Sequence, residues 1–219
     1  MIGFPGSPRL LKGGIVLVDS QTAAVQKIIP LQYNPDSVSR TLQIQSVAGE
    51  TADRSEALRL KGPPVETFKV EVEIDATDQL ERPEENQTTA SLGIFPQLAA
   101  LETIVYPSSR RLLANNDLAR AGTLEIAPIE SALVLFIWSA NRIVPVRFTD
   151  LSITEEAFDA ALNPIRAKVS LGMRVLSVMD LGFDHPGGRL FMVYQQQKER
   201  FAALSAGGAL GDFGITGLP

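Results

Sequence analysis

His185 is the chain's one histidine, and there is no cysteine. An imidazole titrates near neutral pH and could act as an acid or base. Set between Asp184 and Pro186, however, it has neither a serine nucleophile motif nor a carboxylate to orient it. The missing cysteines rule out a thiol nucleophile, a thiolate metal site and a disulfide scaffold. A hard-cation site needs converging oxygen ligands. The one acidic cluster, Asp75, Asp78, Glu81, Glu84 and Glu85, matches no calcium-loop spacing and reads as a solvated loop. No phosphate-binding glycine loop occurs, because Gly207-Gly208 with Gly211 lacks the preceding strand such a loop needs. The residues therefore point away from an enzyme and imply no cofactor and no metal.

The patterning points to assembly. From Ile165 to Val175 the chain alternates: Ile165, Ala167, Val169, Leu171, Met173 and Val175 on one face, Arg166, Lys168, Ser170, Gly172 and Arg174 on the other. From Glu66 to Asp75, Phe68, Val70, Val72 and Ile74 oppose Thr67, Lys69, Glu71, Glu73 and Asp75. Period-two alternation marks strands with one core face and one wet face. Between Phe148 and Leu151 the alternation slips by one residue, which a β-bulge would restore. Ala132–Trp138 is a continuous apolar run, the pattern of a strand buried on both faces. Shorter strands are expected at Ile15–Val18, Val25–Tyr33 and Ser37–Gln45, with a turn at Asn34-Pro35-Asp36.

Helical spacing is confined to two places. Leu98, Leu101, Ile104 and Val105 place a helix over Pro96–Tyr106, stopped by Pro107. Phe191, Tyr194, Lys198 and Phe201 put an aromatic stripe on a helix from Arg189 to about Ala206. Gln79–Ser91 reads as a polar acidic loop, and Ser108–Thr123 as a loop with a helical turn at Leu112–Ala119. The Gly/Pro-rich start, MIGFPGSPRL, is expected to be an arm, and the Gly-rich end from Gly207 a mobile tail. Val47–Pro64 is polar and closes with Gly62-Pro63-Pro64; it reads either as a flexible loop or as an extended hairpin that orders on a neighbour.

A net charge of −5 is not the basic footprint of a nucleic-acid binder. No run approaches the roughly 18 apolar residues of a membrane span, and Met1–Pro30 lacks the pattern of a signal peptide. The expected organisation is a β domain over residues 1–180 followed by a C-terminal helix and tail over 181–219.

Three segments together resemble one family: LQYNPDSVSRTLQIQ, KGPPVETFKVEVEIDATDQL and the strand-rich run from Phe136 to Leu176, in which LSITEEAFDAALNPIRAKVSL is the strongest piece. They resemble the tube-protein domain of contractile injection systems, phage-tail-like particles, and most nearly the tube-initiator or baseplate-adaptor subunit. The motif residues are Tyr33, Asn34, Pro35, Arg40, Gly62, Pro63, Pro64, Asp75, Asp78, Asn163 and Pro164. The resemblance implies a mainly β (α+β) fold, an antiparallel β-barrel or two-sheet sandwich of the tail-tube type with one flanking helix and a C-terminal helix. It also implies a homo-hexameric ring that meets an inner tube protein, a spike or hub protein and baseplate components. Neither nucleic acid nor membrane insertion is expected. The particle assembles in the cytoplasm and becomes extracellular where it is released. The family's peptidoglycan-binding LysM module is not evident here.

On this reading Gly49, Glu50, Asp53, Arg54, Glu56 and Arg59 form an inter-subunit contact. Lys69, Glu71, Glu73, Arg166, Lys168 and Arg174 are a wet ring surface, with Arg142 and Arg147 as further partners for acidic groups. Two other readings stay open: a monomeric β-rich module that binds a ligand or polymer, and an enzyme resting on His185 and the acidic loop.

Overall fold

The computed structural model describes residues 10–46, 59–122 and 131–218. Its strands are β1 (Gly14–Val18), β2 (Val25–Pro30), β3 (Val38–Gln43), β4 (Val65–Asp75), β5 (Leu133–Ser139), β6 (Arg142–Phe158) and β7 (Pro164–Val175). They form one seven-stranded sheet in the order β2-β1-β5-β6-β7-β4-β3. Every neighbouring pair is antiparallel. The helices are α1 (Thr77–Leu80), α2 (Gln87–Leu92), α3 (Phe95–Val105), α4 (Ser109–Arg120), α5 (Val178–Leu181) and α6 (Pro186–Leu204). The fold is mixed α+β.

The sheet curls onto itself. Phe68 of β4 and Phe136 of β5 are not on neighbouring strands, yet their ring centroids lie 5.4 Å apart. The main core lies inside this curl. β4 supplies Phe68, Val70, Val72 and Ile74, and β7 supplies Ala167, Val169, Leu171, Met173 and Val175, as period-two alternation requires. The curl is not a closed barrel, because β2 and β3 stay unpaired with each other at the ends of the strand order.

β5 is buried on both faces, as its continuous apolar run predicts. Val134 and Phe136 join the main core, whereas Leu133 and Leu135 join a second cluster with Val16 and Val18. Leu181 and Leu190, from α5 and α6, pack on that second cluster. The bulge also falls where the alternation slips, with a register shift between Phe148 and Asp150 against β7.

Two expectations are corrected. Gln79–Ser91 is not all loop, because α1 and α2 occupy most of it. A tertiary contact holds these short helices where periodicity does not: buried Thr89 donates its hydroxyl to Gln79 Oε1 at 2.7 Å. Ser108–Thr123 is not a loop with one helical turn, because α4 is a full helix of 12 residues with no buried residue. Its arginines, leucines and alanines favour helix locally and leave no buried stripe to read. The flanking helix is therefore one of several. The tail contains a 3-10 turn at Leu210–Phe213.

Candidate assembly surface

The strands β3, β4, β7 and β6 present one continuous wet face. Register places Lys69 opposite Gly172, Glu71 opposite Ser170 and Glu73 opposite Lys168. On the other side of β7, Thr154 and Glu156 oppose Lys168 and Arg166. Lys69, Glu71, Glu73, Arg166, Lys168 and Arg174 thus share a face, and Ser39 and Thr41 of β3 continue it. Its charges balance: Lys69, Arg147, Arg166, Lys168 and Arg174 stand among Glu71, Glu73, Asp75, Asp150 and Glu156. Many are paired locally. Arg166 Nε lies 2.7 Å from Asp75 Oδ2 and 3.6 Å from Glu73 Oε1. Lys168 pairs with Glu156 at 3.0 Å and Arg174 with Asp180 at 2.7 Å.

These pairs tune the acids. Burial pushes the Asp75 carboxyl up, but hydrogen bonds from the Thr77 hydroxyl and N–H, together with Arg166, outweigh it and hold Asp75 below the usual carboxylate range. Asp180 behaves alike: burial raises it, while the Ser177 N–H and hydroxyl and the Arg174 guanidinium bring it below its ordinary value. The hydrogen bond and charge of Glu156 raise Lys168. None of these arrangements places a titrating group at the middle of the pH range, where acid–base chemistry would need one.

Two stretches of this face end in free edges. One side of β3 is bonded to β4 and the other to no strand among the described residues. β5 covers β6 from Arg142 to Val146 only, so beyond Arg147 that side of β6 is bonded to no strand among the described residues. The proposed hairpin contact begins beside β3. Ser46 bridges Leu60, and the Lys61 N–H donates to Gln45 O, which brings the two ends of the segment together. Arg59 is exposed there, while Gly49, Glu50, Asp53, Arg54 and Glu56 lie outside the described residues.

The motif residues act as struts. Asn34 accepts from the Gly13 N–H at 2.9 Å and donates to Leu11 O at 2.7 Å, tying the chain before β1 to the turn after β2. Tyr33 beside it is exposed, Pro35 is half-buried and Asp78 is exposed. The Asn163 amide donates to Asp159 and to Ser91 O, and Pro164 O accepts the Ile94 N–H. Together Asn163 and Pro164 seat the α2–α3 connection on the start of β7. Gly62 and Pro63 are half-buried and Pro64 exposed, just before β4.

Among the described residues one ionisable cluster is deeply buried, and no motif in the sequence marks it. Glu66, 2% exposed, accepts from the Tyr194 hydroxyl and from Lys198 Nζ, each at 2.7 Å, and Arg40 Nε lies 3.6 Å away. Burial, then the bond to Glu66, pushes the Tyr194 phenol well above its ordinary value. The signal was present: Glu66 shares the parity of Phe68, Val70 and Val72, so β4 turns it toward the core. The cluster fastens α6 to the sheet. His185 caps α6, its Nδ1 accepting the Gly187 N–H at 3.0 Å. Among the described residues, no group of three or more His, Asp or Glu side chains could hold a metal ion, and no helix is long and apolar enough to cross a membrane.

No protein-family model matches the chain, and no curated protein matches it.

Proposed function

We propose that this chain is a non-enzymatic structural subunit of a contractile injection system. Copies close into a hexameric ring at the tube–baseplate junction, link the spike complex to the inner tube and template tube assembly. The particle assembles in the cytoplasm. The observation that carries this reading is the direction of the two free edges bordering the wet face. Neighbours in the order β3-β4-β7-β6 alternate in direction, so β3 and β6 run opposite ways. The open stretch of β6 on one copy can therefore pair antiparallel with β3 of the next. Repeating that joint closes a ring whose inner wall is the charge-balanced polar face, and it covers edges that would otherwise invite aggregation. The outermost strands, β2 and β3, run the same way and would join only in parallel.

The chain has no cysteine of its own, so disulfide trapping tests the joint cleanly. Cysteine pairs would place Ser39 or Thr41 of β3 against Ser152 or Thr154 of β6, all on the wet face. On oxidation, at least one pair should give a ladder of covalent oligomers ending at six, with rings in negative stain, while single-cysteine variants stop at dimers. If every pair gives only the 23.7 kDa monomer, the ring reading fails and the chain returns to a monomeric β-rich binding module.

A further inference from the structure

Two arginines stand on core-facing positions at one end of the sheet. Arg40 of β3 lies opposite Phe68 in register, and Arg142 opens β6 on the parity of buried Val144 and Val146. Alternation turns both toward the interior of the curl, away from the wet face. There they meet α6, and strands and helix together line a cavity of about 230 Å³.

The cavity is cationic. Lys198 is its third positive group, and no carboxylate is among its lining residues. Glu66, buried beside it, offsets one charge of the three. Lys198 Nζ donates to Glu66 Oε2 at 2.7 Å, and Arg40 Nε lies 3.6 Å from Glu66 Oε1. The Lys198 ammonium also sits 4.0 Å from the centre of the Tyr194 ring. A buried anchor thus holds two of the cations in place, while about a third of each side chain stays open to water.

Arg142 has no such anchor. Among the described residues its guanidinium enters no ion pair and no hydrogen bond. The side-chain amides of Asn141 and Gln197, in the same wall, likewise make no hydrogen bond among the described residues. Cations gathered in one cavity without enough carboxylate repel one another. A guanidinium offers paired N–H donors that match a carboxylate or a phosphate. Phe201, 41% exposed, adds an apolar flank. The volume is below the roughly 300–1,000 Å³ of pockets for drug-sized ligands, so it suits one acidic group on a short apolar body.

We propose that this cavity binds an organic anion, a carboxylate or a phosphate ester. Arg40, Arg142 and Lys198 hold its charged group, Asn141 and Gln197 donate further N–H groups to its oxygens, and its apolar body lies on Phe201. The anion arrives as a free small molecule or as an acidic side chain of a partner protein; the recognition chemistry is the same. The site does not rest on ring closure, because Ser39 and Thr41 of the joint lie on the face of β3 opposite to Arg40.

The test is calorimetric titration of the full-length protein with phenyl phosphate, phenylacetate and a blocked peptide carrying one aspartate beside a phenylalanine. Phenylacetamide is the neutral control and should not bind. Binding of the free acids supports a small-molecule ligand, and binding of the peptide alone supports a partner's side chain. Arg142→Gln should weaken every acid about tenfold, the loss of one charge-assisted contact. It should leave Tm unchanged, because Arg142 has no partner to lose. Arg142→Lys should restore part of the affinity, and Phe201→Ala should weaken phenyl phosphate without affecting inorganic phosphate. Equal binding of phenylacetamide, acid binding that Arg142→Gln leaves intact, or no binding of any acid at millimolar concentration would overturn the proposal. Disulfide-trapped rings can form when no acid binds, and acids can bind a chain that forms no rings.

Discussion

The Tyr194 hydroxyl donates to Glu66 Oε1 at 2.7 Å, joining positions 128 residues apart. Through it the last long helix becomes part of the sheet's own core, where Phe191 and Tyr194 pack with Phe68 and Phe136. The carboxylate is almost wholly buried, while Lys198 and Arg40 keep about a third of their side chains in water. Glu66 therefore depends on its partners more than they depend on it.

Substitutions in this cluster should be unequal. Tyr194→Phe removes one donor and leaves Lys198 on the carboxylate, an expected loss of about 1–2 kcal/mol. Glu66→Ala leaves a buried phenol unpaired and a cavity behind; about 3 kcal/mol is expected, at the low end for a broken buried pair because Lys198 and Arg40 can turn to solvent. For a chain of this size those values correspond to roughly 2–8 and 6–12 °C in Tm. Glu66→Leu combined with Tyr194→Phe replaces both partners by apolar groups, so the double variant should lose less than the sum of its single changes in a thermal-melt cycle.

Acid should act through Asp75 and Asp180. Both are held below their ordinary value in the folded chain, so their ionised forms contribute stability above the unfolded value of about 3.9. That contribution is lost as pH falls through the lower folded values. Tm should therefore be flat in these two groups from about pH 5 upward and drop below about pH 4. Asp75→Asn with Asp180→Asn should lower Tm at pH 7 and make the acid limb shallower. An unchanged slope between pH 4 and 2 would mean that other carboxylates control it.

How far the sequence could be read depended on what made each element. Strands built by burial were legible: the parity of Phe68 to Ile74 and of Ala167 to Val175 is the parity of the core, and the slip after Phe148 is the bulge. α4 escaped because no burial patterns it, and α1 and α2 because each is too short for a period. The curl that sets Phe68 against Phe136 depends on contacts between non-adjacent strands, which no local pattern encodes. The wet residues Lys69 and Arg166 were visible by alternation, but their shared register across β4 and β7 came only with pairing. Glu66 was legible in principle, as an acid on the apolar parity of β4.

Two glycines should resist alanine for different reasons. At Gly188, inside α6, a β-carbon would lie 1.8 Å from the Gly182 carbonyl oxygen. Alanine ordinarily stabilises a helix by up to about 1 kcal/mol over glycine, yet here it must push α6 off the turn it packs on. At Gly93, φ is +56° and a β-carbon would lie 2.2 Å from Pro164 O, so strain and clash add, about 2 kcal/mol or more. Both variants should melt lower than the parent, and a Gly188→Ala variant that melts higher would show that α6 can slide without cost.

The wet face should be tolerant. Lys69, Glu71 and Glu73 are exposed on β4, and exposed ion pairs contribute about 0–1 kcal/mol each. Single alanine changes there, or at Lys168, should move Tm by no more than about 3 °C. Arg174 is more enclosed and bonded to Asp180 at 2.7 Å, so its alanine variant should show the largest drop of the set. A fall of more than about 8 °C at Lys69 or Lys168 would place a buried network where the register shows an open surface.

Truncation separates the two parts of the C-terminal region. Ending the chain after Ser205 removes only exposed residues and the 3-10 turn, so Tm should be unchanged within about a degree. Ending it after Leu181 is different in kind. It removes Phe191 and Tyr194 from the main core and Leu190 from the second cluster. Each large apolar side chain is worth about 1.5–3 kcal/mol of burial, and Glu66 would lose two of its donors as well. The summed loss is comparable with the 5–15 kcal/mol that holds an ordinary domain together, so the shorter chain should fail to fold and be recovered only from inclusion bodies. A soluble chain ending at Leu181 with a cooperative melt would mean that the sheet closes its own core, and that Tyr194 docks on Glu66 as an accessory to a fold already complete.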